Sequence, residues 1–130
     1  GDRAEAAADG TIQVFGRDSV CINSGGEKIF AEEVEAALKR HAAVYDVVVT
    51  GTANERWGEQ VTAVVALRPG TAPGEDELRE AAAEVIARYK LPKAFVFVDT
   101  ITRAPSGKPD YRWAKATATA ALGAKTAARP

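Results

Sequence analysis

The sequence predicts an α+β domain in which helices back a three-stranded sheet, preceded by a small two-stranded β-ribbon. Three observations lead to this fold class. Three β-branched runs are bounded by turn residues, and two segments repeat apolar residues at helical spacing. The two kinds of segment alternate without a long parallel series. A length of 130 residues fits one domain with a single modest core.

The first predicted elements are the ribbon and an amphipathic helix. The ribbon is expected to pair TIQVF, which follows the turn dipeptide Asp9-Gly10, with the run VCI at 20–22. From Ala31 to about His41, apolar residues recur at helical spacing. Glutamates come early in this segment and basic residues late, which suits the helix dipole.

Three strands and two further helices complete the predicted domain. The runs VYDVVVTG and VTAVVALRP are expected to pair, and FVFVD supplies the third strand. Before FVFVD, a second helix has one apolar face from Leu78 to Tyr89 and must stop near Pro92, because proline disfavours helix in the residue before it. The segment TRAPSGKPD predicts an exposed loop, and a last helix is expected from about Asp110.

Composition and charge narrow the classes of function. Hydrophobic residues make up 46% of the chain and charged residues 27%, as in ordinary soluble domains. The 17 basic and 18 acidic residues nearly cancel, so no global field attracts nucleic acid. No apolar run approaches a bilayer span, so no transmembrane segment is predicted, and a cytoplasmic location is expected. Cys21 and His41 lack partners at nucleophile or metal spacing, so neither is assigned chemistry and no metal site is predicted.

Two adjacent glycines, Gly25 and Gly26, lie between the predicted ribbon and the first helix. Alone they predict a tight turn, or a point where the backbone approaches a ligand closely. The surrounding string GRDSVCINSGGEKIFAEEVE resembles the linker and first helix of the acyl-CoA synthetase branch of the adenylate-forming superfamily. In that family Gly-Arg ends the large domain, a hinge residue follows, and Gly-Gly-Glu-x-Ile leads into a Glu-Val-Glu helix.

Two aromatic segments extend the resemblance. Trp57, in the polar corner NERWGE, is by itself a partly buried packing residue. The family's Trp-Gly pattern implies instead that Trp57 borders the channel for the pantetheine arm of CoA. In RYKLPK, Tyr89 lies between cations at a helix end, which alone predicts a solvated terminus. The family's Tyr/Phe-Lys-x-Pro-Lys pattern implies that Tyr89 stacks on the CoA adenine and that Lys90 or Lys93 meets its phosphates.

Lys108 ends a Pro-x-Gly-Lys motif shortly before the last predicted helix. A lone loop lysine is usually a solvated charge. The motif, however, resembles the end motif of the adenylate-forming superfamily, whose lysine is catalytic for adenylation. When a carboxylate attacks the α-phosphate of ATP, two anions meet, and a compact ammonium stabilises the growing charge in the transition state. Gly107 would let the loop bend into the cleft.

The resemblance covers nearly all of the stretch 16–115. It implies the mobile lid of an enzyme that converts a carboxylic acid, for which a fatty acid is expected, ATP and CoA into acyl-CoA, AMP and pyrophosphate. ATP, Mg²⁺ and CoA would serve the full-length enzyme. The expected partners are the chain's own N-terminal domain, the acid and CoA, and no nucleic acid. The isolated chain is expected to fold but to be inactive or nearly so.

The resemblance also implies an organisation of the chain into four parts: 1–15 as the tail end of the large domain, 16–19 as the hinge region, 20–122 as the lid and 123–130 as a flexible tail. Gly1-Asp2 resembles the end of a Thr-Gly-Asp motif, so Asp2 would bind the ribose of ATP, unless a cloning remnant supplies the dipeptide. Arg17 closes the large domain and is expected to bind a cofactor, and Asp18 or Ser19 is the hinge. The absence of methionine favours a fragment of a longer chain.

Two alternatives stay open. The enzyme could transfer the acyl group to a carrier protein or another nucleophile, although the motif Gly-Gly-Glu-Lys-Ile favours CoA. The second alternative is that the chain is a stand-alone binding domain without catalytic activity. The acyl substrate cannot be read from this segment, because in the resembled enzymes its pocket lies almost wholly in the large domain.

Overall fold

A computed structural model describes residues 21–56 and 58–127, with side chains as far as Leu122. In chain order the elements are β1 (Cys21–Ser24), β2 (Glu27–Phe30), α1 (Ala31–Lys39), β3 (Val44–Asn54), β4 (Gly58–Leu67), α2 (Glu75–Ala83), a 3₁₀ turn (Arg88–Lys90), β5 (Ala94–Val98) and α3 (Tyr111–Ala127). This arrangement confirms the predicted mixed fold, in which helices back a sheet.

Strand β4 is the centre of the sheet. It pairs antiparallel with β3 from Val44↔Leu67 to Asn54↔Gly58. On its other edge it pairs in parallel with β5, as α2 carries the chain back to the same end of the sheet. The three predicted strands therefore do form one sheet, but the sheet has five strands among the described residues and not three, because β1 also pairs with β4 at Ser24 and Gly58.

The predicted pairing of TIQVF with VCI stays a prediction, because TIQVF and Val20 lie outside the described residues. Cys21 and Ile22 of the run VCI belong to β1, which extends to Ser24 and forms an antiparallel hairpin with β2. Gly25 and Gly26 close this hairpin with φ angles of +61° and +88°. Two consecutive positive φ angles match the twist of the tightest hairpin turns, so the glycines lie inside a hairpin and not directly before the helix.

Both faces of the sheet are covered. Helices α1 and α2 pack on one face, over a core that includes Val47, Val49 and Val65. Helix α3 packs on the opposite face, over Val48 and Val64. Because successive side chains point to opposite faces and both faces are buried, β3 and β4 read as continuous apolar runs and do not alternate with polar residues.

The second helix is shorter than predicted. Its apolar spacing continues to Tyr89, but α2 ends at Ala83, and the chain turns before the 3₁₀ segment. Within α2, Leu78 and Ala82 are fully buried, whereas Val85, beyond its end, is 52% exposed. The prediction of its end was therefore wrong, because helical spacing identifies a face without showing how far that face has something to pack on.

Helix α3 begins where the sequence predicts. Asp110 Oδ1 accepts a hydrogen bond from the Trp113 amide at 3.0 Å, as an N-cap side chain does. The helix runs to Ala127, so it overlaps the start of the predicted tail 123–130, whose flexibility stays a prediction. None of the described helices is long and apolar enough to cross a membrane.

Candidate functional site

Lys108 lies in an exposed, closed loop between β5 and α3. Arg103 and Pro109 form an isolated antiparallel bridge at the base of the loop. The Ala104 amide donates to the Lys108 carbonyl at 2.9 Å, and the Gly107 amide donates to the Ala104 carbonyl at 2.8 Å. Gly107 has a φ of +89°, where a side chain is strained although nothing would obstruct a Cβ there. The predicted loop therefore has a defined backbone shape.

The Lys108 ammonium differs from most cations around it. Within 21–56 and 58–122 no carboxylate lies in ion-pair range of it, whereas several other basic side chains of the domain are paired. Examples are Arg103–Asp46, Lys90–Glu33, Arg88–Glu80 and Lys115–Glu59. An exposed and unpaired ammonium can meet an external anion without first giving up an internal partner.

The glycine hairpin and the corner that contains Trp57 meet at one end of the sheet. Ser24, just before the glycine pair, lies opposite Gly58 at the start of β4. Trp57 itself is outside the described residues. The corner around it is shaped by Asn54, whose Oδ1 accepts the Arg56 amide at 2.9 Å, and by Gly58 at a φ of +84°.

Glu59 links the hairpin to α3, a role that the sequence did not reveal. Its Oε1 accepts the Asn23 amide at 3.1 Å, and its Oε2 lies 3.4 Å from the Lys115 ammonium. Gly51 makes room for it, since a Cβ at Gly51 would come within 3.0 Å of the Glu59 Cδ. A glutamate beside a turn is ordinarily a solvated charge, so its sequence context held no signal.

Tyr89 presents its ring to solvent and is 48% exposed. The Lys90 ammonium lies 5.7 Å from the centre of that ring, but it also donates to both carboxylate oxygens of Glu33 at 3.0 Å. Lys93 is exposed, and its amide donates to the Val61 carbonyl at 2.8 Å. Tyr89 and Lys90 are therefore in contact, although Lys90 already has an anionic partner.

The length of strand β4 gives the distance between the points where the Lys108 loop and the glycine hairpin are anchored to the sheet. Gly58 adjoins the hairpin, while Ala66, eight residues further along, lies opposite Asp46. Asp46 binds Arg103 at the base of the Lys108 loop. At about 3.3 Å per residue, these anchor points are roughly 26 Å apart. The Lys108 loop and the glycine hairpin are therefore attached to opposite ends of the sheet.

Glu35 is a buried carboxylate that the sequence did not single out. Its Oε2 accepts the Val49 amide at 2.9 Å, and its Oε1 accepts the Tyr111 hydroxyl at 3.2 Å. Burial raises the pKa of Glu35 to about 7 despite these hydrogen bonds. Burial and the neighbouring Glu35 also raise the pKa of Tyr111 well above its ordinary value.

The remaining predicted residues divide between structural contacts and the undescribed part of the chain. Asp2 and Arg17, together with the hinge at Asp18 or Ser19, lie outside the described residues. His41 accepts the Ala43 amide at Nδ1, so its Nε2 carries the hydrogen in the neutral ring and donates to Glu77 of α2 at 2.7 Å. In the described part of the chain, no three His, Cys, Asp or Glu side chains are grouped to hold a metal ion.

Comparison with known proteins shows which family shares these features. The model of the AMP-binding enzyme C-terminal domain matches residues 33–108. The medium-chain acyl-CoA ligase Mig of Mycobacterium avium is 63% identical over 115 residues, which are 88% of this chain and 21% of that protein. The 3-oxocholest-4-en-26-oate–CoA ligase of Rhodococcus rhodochrous is 59% identical over the same shares. The chain thus spans about a fifth of the length of these curated relatives.

Solved structures agree with this match. A fatty acyl CoA synthetase of Mycobacterium tuberculosis superposes with a TM-score of 0.71 at 33% identity, over 78% of this chain and 20% of that one. The o-succinylbenzoate CoA synthetase of Bacillus subtilis, solved with its acyl-adenylate intermediate, gives 0.71 at 34% identity over the same shares. The family match begins in α1 and ends at Lys108, so it includes the closed loop. The chain belongs to the AMP-binding enzyme C-terminal domain family.

Proposed function

We propose that this chain is the mobile C-terminal domain of an ATP-dependent acyl-CoA synthetase. The whole enzyme would join a carboxylic acid, ATP and CoA into acyl-CoA, AMP and pyrophosphate. The relatives named above are CoA ligases, which favours CoA over a carrier protein as the acceptor. Their names also favour a hydrophobic acid, such as a medium-chain fatty acid or a sterol-derived acid, as the substrate class.

Lys108 would act in the first step. An oxygen of the carboxylate forms a bond to the α-phosphorus of ATP, and the bond from that phosphorus to the leaving oxygen of pyrophosphate breaks. Negative charge grows on the phosphoryl oxygens between two anionic reactants. An unpaired ammonium on a long stem can contact both, and it stabilises the transition state more than the ground state.

The opposite end of the domain would act in the second step. There the CoA thiol loses its proton to solvent and its sulfur bonds to the acyl carbon. The bond from that carbon to the phosphate oxygen breaks, and AMP leaves with that oxygen. Gly25 and Gly26 have no side chains and are exposed, so the pantetheine arm can approach their backbone closely. Trp57 would border that arm. The exposed ring of Tyr89 would stack on the adenine, with Lys93 or Lys90 near the phosphates.

The separation of these two groups along β4 is the observation that carries the proposal. Anchors roughly 26 Å apart cannot both reach one reacting centre in a single pose of a rigid domain. A rotation about the hinge region 16–19 would exchange them between the two steps. Each step would then receive the side chains that its own charges require.

The predictions that Asp2 binds the ribose of ATP and that Arg17 binds a cofactor belong to the same proposal. So does the Mg²⁺ expected with ATP, for which the described residues provide no ligand cluster. We also propose that the enzyme works in the cytoplasm, where ATP and CoA are available.

The test is Lys108→Ala in the full-length enzyme, with the two steps measured separately. Pyrophosphate release should fall by about 100-fold or more, a loss typical of removing one transition-state charge contact. Thioester formation from a supplied acyl-adenylate should stay within about threefold, because Lys108 is remote from that reaction. Lys108→Arg should recover little, because the guanidinium is larger and planar. Equal loss of both steps would contradict the division of roles.

A further inference from the structure

The guanidinium of Arg103 binds two distant parts of the domain at once. Its Nε donates to Asp46 Oδ2 at 3.0 Å, and its Nη2 donates to Asp46 Oδ1 at 2.5 Å. Its Nη1 donates to the Gly107 carbonyl at 3.3 Å. That carbonyl belongs to the peptide bond between Gly107 and Lys108. Arg103 therefore connects a sheet strand to the peptide bond directly before the proposed catalytic lysine.

Asp46 is a rigid anchor for this contact. Its side chain is only 14% exposed, and its Oδ1 also accepts the Val47 amide at 2.9 Å. Burial alone would raise the pKa of Asp46, but the hydrogen bonds from Arg103 and Val47 hold it below its ordinary value. The carboxylate is therefore charged near neutral pH, and a charged acceptor strengthens both hydrogen bonds from the guanidinium.

The loop needs such an anchor because of Gly107. A glycine that adopts a positive φ has many alternative conformations, and no neighbouring atom lies within 4 Å of the place that a Cβ would take at Gly107. Rotation of the Gly107–Lys108 peptide would swing the lysine side chain away from its position. The hydrogen bond to the Gly107 carbonyl opposes that rotation, and it can do so only while Asp46 holds the guanidinium in place.

We propose that Arg103, held by Asp46, is a positioning residue that orients Lys108 for the adenylation step. The inference rests on the proposed function, because it gives Arg103 a role that acts only through Lys108. The planar fork of arginine is required, since one edge binds Asp46 while the remaining nitrogen reaches the Gly107 carbonyl. A lysine at position 103 could keep the charge pair but could not hold both groups in this geometry.

The test compares Arg103→Gln, Arg103→Lys and Lys108→Ala in the full-length enzyme, with pyrophosphate release and thioester formation measured separately. Arg103→Gln should lower kcat for adenylation by about 100-fold, the loss expected from misplacing a catalytic group by about 1 Å. KM for ATP and the thioester step should each change by less than about threefold. Arg103→Lys should lose about 10-fold in the same step, and Asp46→Asn should resemble Arg103→Gln.

Arg40→Gln is the matched control. Arg40 also joins a carboxylate and a backbone carbonyl, those of Glu84 and Ala81, but it does so between α1 and α2. It should leave both steps within about twofold. Thermal unfolding of each variant checks that the domain remains folded.

The decisive measurement adds Arg103→Gln to Lys108→Ala. If Arg103 acts through Lys108, the double variant should be no slower in adenylation than Lys108→Ala alone, since residues that act as a unit are not additive. A further loss, or equal damage to both steps by Arg103→Gln, would overturn the positioning role. Full adenylation by Arg103→Gln while Lys108→Ala is inactive would overturn it and leave the proposed function standing. Full adenylation by Lys108→Ala would overturn both.

Discussion

Glu35 illustrates how tertiary burial changes a single side chain. It projects from α1 between β3 and α3, where it bonds to the Val49 amide and the Tyr111 hydroxyl. Because burial raises its pKa from an ordinary value of 4.5 to about 7, the folded state binds a proton more readily than the unfolded state. The stability that this proton contributes is fully present below about pH 4.5 and is lost as pH rises through about 7.

We expect Glu35→Gln to remove this pH dependence. The shift of about 2.5 pKa units corresponds to about 3 kcal/mol, since each unit is 1.36 kcal/mol. The free energy of unfolding of the native chain should therefore fall by about 3 kcal/mol relative to the variant between pH 4.5 and 8. Urea denaturation at a series of pH values measures this difference. Glu55→Gln, at an exposed position, is the control and should leave the pH profile of stability unchanged. If the difference in the free energy of unfolding between the native chain and Glu35→Gln does not change with pH, Glu35 does not cause the pH dependence.

At the scale of elements, α3 shows how small side chains set the distance between a helix and a sheet. Ala114 and Ala118 are fully buried, in a core cluster with Val48 and Val64. Alanine at both positions lets the helix backbone approach the strands closely. The same helix starts at the end of the Lys108 loop, so its packing also fixes where that loop ends.

We expect Ala118→Leu to destabilise the domain by about 1–3 kcal/mol, because the added atoms have no space between helix and sheet. Ala120→Leu is the control, since Ala120 is exposed on the same helix and the change in helix propensity is the same. It should change stability by less than about 0.5 kcal/mol. Chemical denaturation of both variants provides the comparison, and equal stabilities would show that α3 does not pack as described.

At the scale of the whole molecule, the sheet separates two clusters of buried side chains. One lies under α1 and α2, and the other lies under α3 alone. Val64 and Val65, adjacent on β4, are both fully buried but belong to opposite clusters. Local opening of each face should therefore depend on a different one of these two valines.

Native-state hydrogen exchange tests this arrangement. Val64→Ala should lower the protection of amides in α3 more than in α1, and Val65→Ala should do the reverse, because each creates a cavity on one face only. Each substitution serves as the control for the other. The β4 amides should exchange slowest in both variants, since that strand is paired on both edges. Equal effects on the two helices would contradict the two-sided packing.

Most local elements of this protein could be predicted from short stretches of its sequence. Strand runs such as VTAVVAL and the start of α3 at Asp110 were predictable, because propensity, periodicity and capping act over a few residues. That the segment around Lys108 is an exposed loop was predictable for the same reason, but its closure by the bridge between Arg103 and Pro109 was not. The resemblance to a known family also came from short motifs, of which Pro-x-Gly-Lys is one.

The contacts between those elements follow only from the three-dimensional packing. The end of α2 and the pairing of Arg103 with Asp46 both depend on surfaces brought together from distant parts of the chain. Arg103 and Asp46 are 57 residues apart. Periodicity identifies a face of a helix or strand but not its partner, because the partner is selected by packing of the whole core. The sheet therefore determines that the lysine loop and the glycine hairpin are anchored at opposite ends.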